Sequence, residues 1–173
     1  MMKAITYLVC LALLLAFPVQ ASAEEVTEAT VPVTLTVINT VHPISVTVPA
    51  ALPVSVVDGY TVTANNACIS NNAEGGAVQV MAISVQSGAF SIGSFENFAA
   101  EDKTIALKIN GCATEKAGAL HITQNAFPPV NAGESLPINY SAKVAATEEA
   151  SGVQAATVIF TIAAVSETEA KGD

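Results

Sequence analysis

The stretch SVTVPAALPVSVVDGYTVTA, residues 45–64, constrains this chain more than any other. Apolar residues fall on alternate positions through most of it, and two prolines and an Asp-Gly pair interrupt the pattern. A period of two sends successive side chains to opposite faces of an extended strand, so one face is buried and the other is wet. A helix needs apolar residues three and four apart, and no stretch after Ala23 sustains that spacing.

The same alternation recurs along the chain. Val31, Val33, Leu35 and Val37 share one face of a strand, as do Ile44, Val46 and Val48, and then Val54 and Val56. Pro43, Pro49 and Pro53 cannot donate to a ladder and are expected at strand starts, edges or bends. Asp58-Gly59 predicts a hairpin turn ahead of Tyr60 and Val62, and Asn110-Gly111 predicts another. Between residues 77 and 86 the apolar phase slips from Val78 and Val80 to Met81, Ile83 and Val85, which predicts a bulge near Val80 or a strand buried on both faces. Residues 95–102, FENFAAED, suit a single helical turn, and Leu120 with Ile122 suits a strand. Leu136, Ile138, Tyr140, Ala142 and Val144 predict one long strand, and Ala156, Val158, Phe160 and Ile162 the last. About nine or ten short strands with frequent turns imply an all-β fold, a single antiparallel β-sandwich of Ig-like or jelly-roll-like type.

The chain opens with Lys3, an apolar run over residues 5–17, and the small-residue site Ala21-Ser22-Ala23. The run is shorter than the roughly 20 residues that span a bilayer, so residues 1–23 are expected to be a cleaved signal peptide. Residues 24–30 are expected to be a flexible acidic leader, residues 31–164 the domain, and residues 165–173 a flexible tail. The protein is then secreted, either extracellular or associated with the cell surface. Fifteen carboxylates oppose six lysines and no arginine, a net charge of −9. Such a chain lacks the cations that phosphate binding uses, so nucleic acid is excluded as a partner, as is the membrane after signal cleavage. Cys10 leaves with the signal. The remaining pair, Cys68 and Cys112, is expected to form a disulfide, with two free buried thiols as the alternative.

The order of motifs resembles a family. ISVTVPAALPVSVVDGYTVTANNACISNNAEGGAVQVMAISV carries a Val-Pro edge, a Leu-Pro-Val strand, an acidic-Gly turn and an Asn-Asn turn, and ALKING, ESLPINYSAKV and ATVIFTIA follow. The pattern resembles small secreted β-sandwich proteins of Gram-positive bacteria, distantly akin to TasA/camelysin-like fibre proteins and WxL-type surface domains. The chain has no Trp, so the Trp-x-Leu wall-binding signature is missing, and no Leu-Pro-x-Thr-Gly sorting signal follows the domain. The resemblance implies an exported structural or interaction domain in the extracellular matrix or in surface adhesion, and supplies no catalytic residue.

The residues themselves offer little chemistry. His42 and His121 are far apart in sequence and form no His-Glu-x-x-His pair, and no Gly-x-Ser-x-Gly elbow or phosphate loop occurs. Glu96, Asn97, Glu101 and Asp102 form one polar cluster and Asn71, Asn72 and Glu74 another, neither with EF-hand spacing. No catalytic residue, metal or cofactor is expected. Lys108 and Lys143 lie in strands near asparagines, the ingredients of an intramolecular isopeptide bond.

The leading expectation is a non-enzymatic structural protein. Val31, Val33, Leu35 and Val37 are its candidates for strand addition to a neighbouring copy, the alternative being that this strand completes its own sandwich. Removing residues 24–37 is expected to abolish assembly and leave a folded domain. The rival expectation is a binding module for a cell-surface glycan or protein, with residues 71–76 and 127–133 as its loops.

Overall fold

A computed structural model describes residues 26–38, 44–57, 59–146 and 152–165, with the side chains of residues 26–28 left aside. The expected signal peptide, most of the expected tail, His42, Pro43 and Asp58 lie outside the described residues. Among the described residues there is no helix, and residues 95–102 form bends and turns in place of the expected helical turn.

The chain begins with β1 (Val26–Ile38), β2 (Val46–Thr47), β3 (Ala51–Val57), β4 (Tyr60–Thr63) and β5 (Cys68–Asn71). It continues through β6 (Ala77–Ser87), β7 (Ser91–Ile92), β8 (Thr104–Ile109), β9 (Cys112–Ala113) and β10 (Gly118–Ala119). It closes with β11 (Val130–Asn131), β12 (Ser135–Pro137), β13 (Tyr140–Ala145), β14 (Val153–Gln154) and β15 (Ala156–Val165). One large sheet runs in the order β10-β6-β15-β1-β3-β4, with β11 beside β6 and β14 beside β1. A second runs β12-β5-β2, and a third β13-β8-β7 with β9 beside β8.

The all-β reading holds, and the purely antiparallel one does not. β1 runs parallel to β14 and β15, and β7 runs parallel to β8. β1 changes partners part-way along. Residues 26–32 pair antiparallel with β3, and residues 33–38 pair parallel with β15, Val33 opposite Val158. Pro32 sits at the changeover, where a residue without an N–H costs no ladder bond. The strand also starts before the expected domain boundary. Val26 already pairs with Val57, Ala29 is buried, and the Thr30 carbonyl accepts from the Ala155 amide at 3.0 Å. The acidic composition of residues 24–30 hides this pairing from the sequence.

Local turn chemistry sets the hairpins. Val57 pairs with Tyr60 across a two-residue loop in which Gly59 has φ 79°. Ile109 pairs with Cys112 across Asn110 and Gly111, at φ 44° and 84°, the two left-handed residues of a type I′ turn. The phase slip in β6 is a bulge: Ala82 faces Thr161 and Val80 faces Ile162, so Met81 is the extra residue and is exposed. The expected long strand over residues 136–144 is divided. β12 pairs with β5 and β13 with β8, so the chain crosses between sheets at residues 138–139. There the Ile138 amide donates to the Ala67 carbonyl, and the Asn139 amide to Asn110 Oδ1.

One apolar core joins all three sheets. Val31, Leu52, Ile83, Val85, Phe160 and Ile162 of the large sheet share it with Ile69 of β5 and Ile105, Leu107 and Ile109 of β8. Phe127 stacks edge-on against Phe160 with centroids 6.2 Å apart.

Candidate functional site

The strand-addition candidates all lie on β1, and their environment changes along it. Val31 is fully buried, Val33 and Leu35 are half-buried against the core, and Val37 is exposed. Over residues 33–38 the strand has β15 on one side, and no other described strand pairs on the opposite side. The Val33 amide points to that open side, where it reaches the Ala50 carbonyl at 3.5 Å. Alternation then turns the backbone groups of Leu35 and Val37 the same way. Among the described residues β1 is therefore part of its own sheet and still presents one open edge. Removing residues 24–37 would take out the strand between β15 and β3, so that deletion would break the large sheet instead of leaving the folded domain first expected.

β4 has a ladder only with β3 among the described strands, and it also lies against β13, where Thr63 Oγ1 donates to the Tyr140 carbonyl at 3.0 Å. Its outward face carries Tyr60 and Val62, 77% and 53% exposed, beside Val57 at 37%. With Val37 at 42% and Ile38 at 51%, these are all but one of the large exposed hydrophobics among the described residues. Residues 29–73, which contain β1 from Ala29 onward and all of β4, carry a single charged side chain, Asp58.

The inner end of β4 is closed by Tyr140. Its hydroxyl donates to the Pro53 carbonyl at 2.6 Å and accepts from the Ala64 amide at 3.1 Å. A regular ladder would link Ala64 and Pro53 directly, but Pro53 has no N–H to complete that rung. The phenol stands in for it. Burial raises the Tyr140 pKa above its ordinary value, against the weaker opposite pull of the Ala64 amide.

A cleft of about 420 Å³ lies elsewhere, between the loop at residues 94–97, the β8–β9 turn and residues 121–123. Glu96, Asn97, Glu115 and His121 are among its walls, and Cys112 is part of its lining. Glu96 bonds Lys108 Nζ at 2.8 Å, and that hydrogen bond and charge hold its carboxyl below the usual range. Ser94 Oγ accepts from the Asn97 amide at 3.2 Å. His121 makes no hydrogen bond among the described residues, so no nucleophile–base pair is assembled here. No group of three metal-ligating side chains converges among the described residues. Glu96 and Asn97 belong to a polar cluster visible in the sequence, but no local signal shows that they share a cleft with Glu115 and His121.

The other candidates are structural. Asn71 is buried, its amide donating to the Gly76 and Val130 carbonyls and its oxygen accepting from the Ala73 amide. Phe127 likewise turns into the core, so the two expected binding loops are anchored inward at their first residues. The lysines are occupied: Lys143 Nζ donates to the Phe95 carbonyl at 2.6 Å and lies 4.7 Å from that ring's centroid, while Lys108 holds Glu96. Neither pairing is with an asparagine. The expected disulfide is not present. Cys68 is exposed on β5 and Cys112 is buried on β9, in different sheets, and both are free thiols. Each sulfur lies near a hydroxyl instead, Cys68 with Ser70 at 3.8 Å and Cys112 with Thr123 at 3.9 Å.

Comparison with known proteins finds no matching family model, curated protein or solved structure. The likeness to fibre and wall-surface proteins therefore rests on the turn pattern alone.

Proposed function

We propose that this chain is a secreted, non-enzymatic β-sandwich that serves as a surface or extracellular-matrix structural protein and assembles by strand addition. The large sheet forms one layer and the two smaller sheets the other, an arrangement supported by the single core they share. The observation that carries the assembly reading is the open edge at residues 33–38. It is uncharged and free of proline, it ends in exposed Val37 and Ile38, and it lacks the lysines and bulges that usually blunt such edges. Two copies meeting along this edge, antiparallel about a two-fold axis, would continue the sheet from one molecule into the next.

Size-exclusion chromatography with light scattering across concentrations, with negative-stain microscopy of the same fractions, tests this. Growth in mass with concentration is the expected result. The variant V37K, which places a charge on an exposed position of the edge, should lose that contact while melting like the wild type. A strict monomer at every concentration overturns the reading.

A second reading, an extracellular binding module for a glycan or protein, is favoured by the cleft that gathers Glu96, Asn97, Glu115 and His121. It predicts saturable binding by a monomer, weakened by substitution of Glu115, and glycan and protein arrays would test it.

A further inference from the structure

We infer that Asn110 is a one-way modification site. The folded protein keeps its carboxamide intact; once the β8–β9 turn opens, Asn110 deamidates and the native turn cannot close again. The inference is independent of the assembly reading above.

Three observations carry it. First, Asn110 is the chain's only asparagine followed by glycine, so no side chain shields the next backbone nitrogen. That Gly111 nitrogen gives up its proton to solvent and bonds to Asn110 Cγ, the Cγ–Nδ2 bond breaks, and ammonia leaves. Water then opens the cyclic imide to aspartate or isoaspartate, so the net change is amide plus water to acid plus ammonia. Second, the fold holds the carboxamide off this path. Nδ2 donates to the Ala126 carbonyl at 3.1 Å and the Pro137 carbonyl at 3.2 Å, and Oδ1 accepts from the Asn139 amide at 2.8 Å. Attack needs Cγ turned over the Gly111 nitrogen, and these three bonds point the group at other segments instead. Third, the products do not fit. A carboxylate only accepts, so it cannot donate to Ala126 and Pro137 and sets its charge against both carbonyl oxygens. Isoaspartate also adds a carbon to the main chain of a two-residue turn fixed at φ 44° and 84°. The bonds lost are those that tie this turn to the crossover at residues 138–139 and to Ala126, the neighbour of core residue Phe127.

The open turn is the reactive form, so the rate in the folded protein is the unfolded-chain rate multiplied by the open fraction. Opening breaks the three side-chain bonds. Each lowers the open fraction about fivefold, so deamidation of the folded protein should be about a hundredfold slower than that of the unfolded chain. Unfolding that lasts long enough for this chemistry becomes irreversible.

The test holds the full chain at mildly alkaline pH, folded in buffer or unfolded in guanidinium chloride. Mass spectrometry of the peptide 109–116, released between Lys108 and Lys116, follows the loss of Asn110. The unfolded chain should deamidate there while the folded protein keeps Asn110. Unfolded samples returned to buffer at intervals should refold in falling yield by circular dichroism, with deamidated chains confined to the fraction that stays unfolded or melts early. The variant N110D, which carries the aspartate product from the start, should melt below the wild type or fail to fold. Equal rates of loss in the two states would overturn the protection. An unfolded chain that keeps Asn110 throughout would overturn the site itself. Deamidated chains or N110D that fold and melt like the wild type would overturn the one-way step.

Discussion

Replacing Tyr140 by Phe removes one oxygen and leaves the buried ring in place, so it isolates the phenol that bridges β3 and the residue after β4. The ring still fills its site, and no cavity cost arises. Two hydrogen bonds are lost, each worth about 1 kcal/mol net, and the half-buried Ala64 amide loses its partner, so Y140F should cost about 2–3 kcal/mol. Urea unfolding followed by circular dichroism would measure this as a lower midpoint at unchanged slope. The Thr63 hydroxyl bond to the Tyr140 carbonyl survives in the variant, so the strands should stay in place. The reasoning also predicts a pH dependence. Burial raises the folded-state pKa of Tyr140 above 10.0, so its contribution is full below the unfolded pKa and is lost as pH rises through the folded one. The gap between wild type and Y140F should therefore narrow above about pH 10. A loss below about 0.5 kcal/mol at neutral pH, within the range of inert surface changes, would refute the bridging role.

Two further substitutions or treatments probe other parts of the fold. A Cβ added at Gly88 would lie 2.5 Å from the Gln154 carbonyl oxygen and 2.9 Å from that of Ala155, both backbone, so G88A should cost about 3 kcal/mol in a denaturant melt. A thiol reagent should label Cys68 in the folded protein and Cys112 only on unfolding, and a reductant should leave the melting midpoint unchanged; a reductant-induced drop would restore the disulfide.

What the sequence disclosed followed from local chemistry. Asn110-Gly111 and Asp58-Gly59 announce hairpins because few other residue pairs accept the backbone a two-residue loop requires. The bulge at Met81 is visible because an inserted residue must flip the apolar phase. The parallel pairing of β1 with β15 is hidden, since alternation marks a buried face but not the strand that lies beside it. The division of residues 135–145 is hidden for the same reason: Leu136, Ile138 and Tyr140 keep a single alternation across two sheets. Alternation puts Tyr140 in phase with Ile138 and Ala142, yet its hydroxyl partners lie 76 and 87 residues away along the chain. Cysteine parity likewise says how many bridges could form and nothing about distance. The open edge at residues 33–38 falls on three of the four residues singled out from the sequence, although Val31 itself is sealed inside.

The union of β1 with β15 has a consequence in time. Val33 finds Val158 only after nearly the whole chain has been made, so the centre of the large sheet is among the last parts that can close. Contacts this distant in sequence slow folding, because a long loop must be ordered before they form. During that interval residues 33–38 lie bare on both sides. Until β15 arrives to cover one side of it, the chain presents a sticky, uncharged strand to its neighbours.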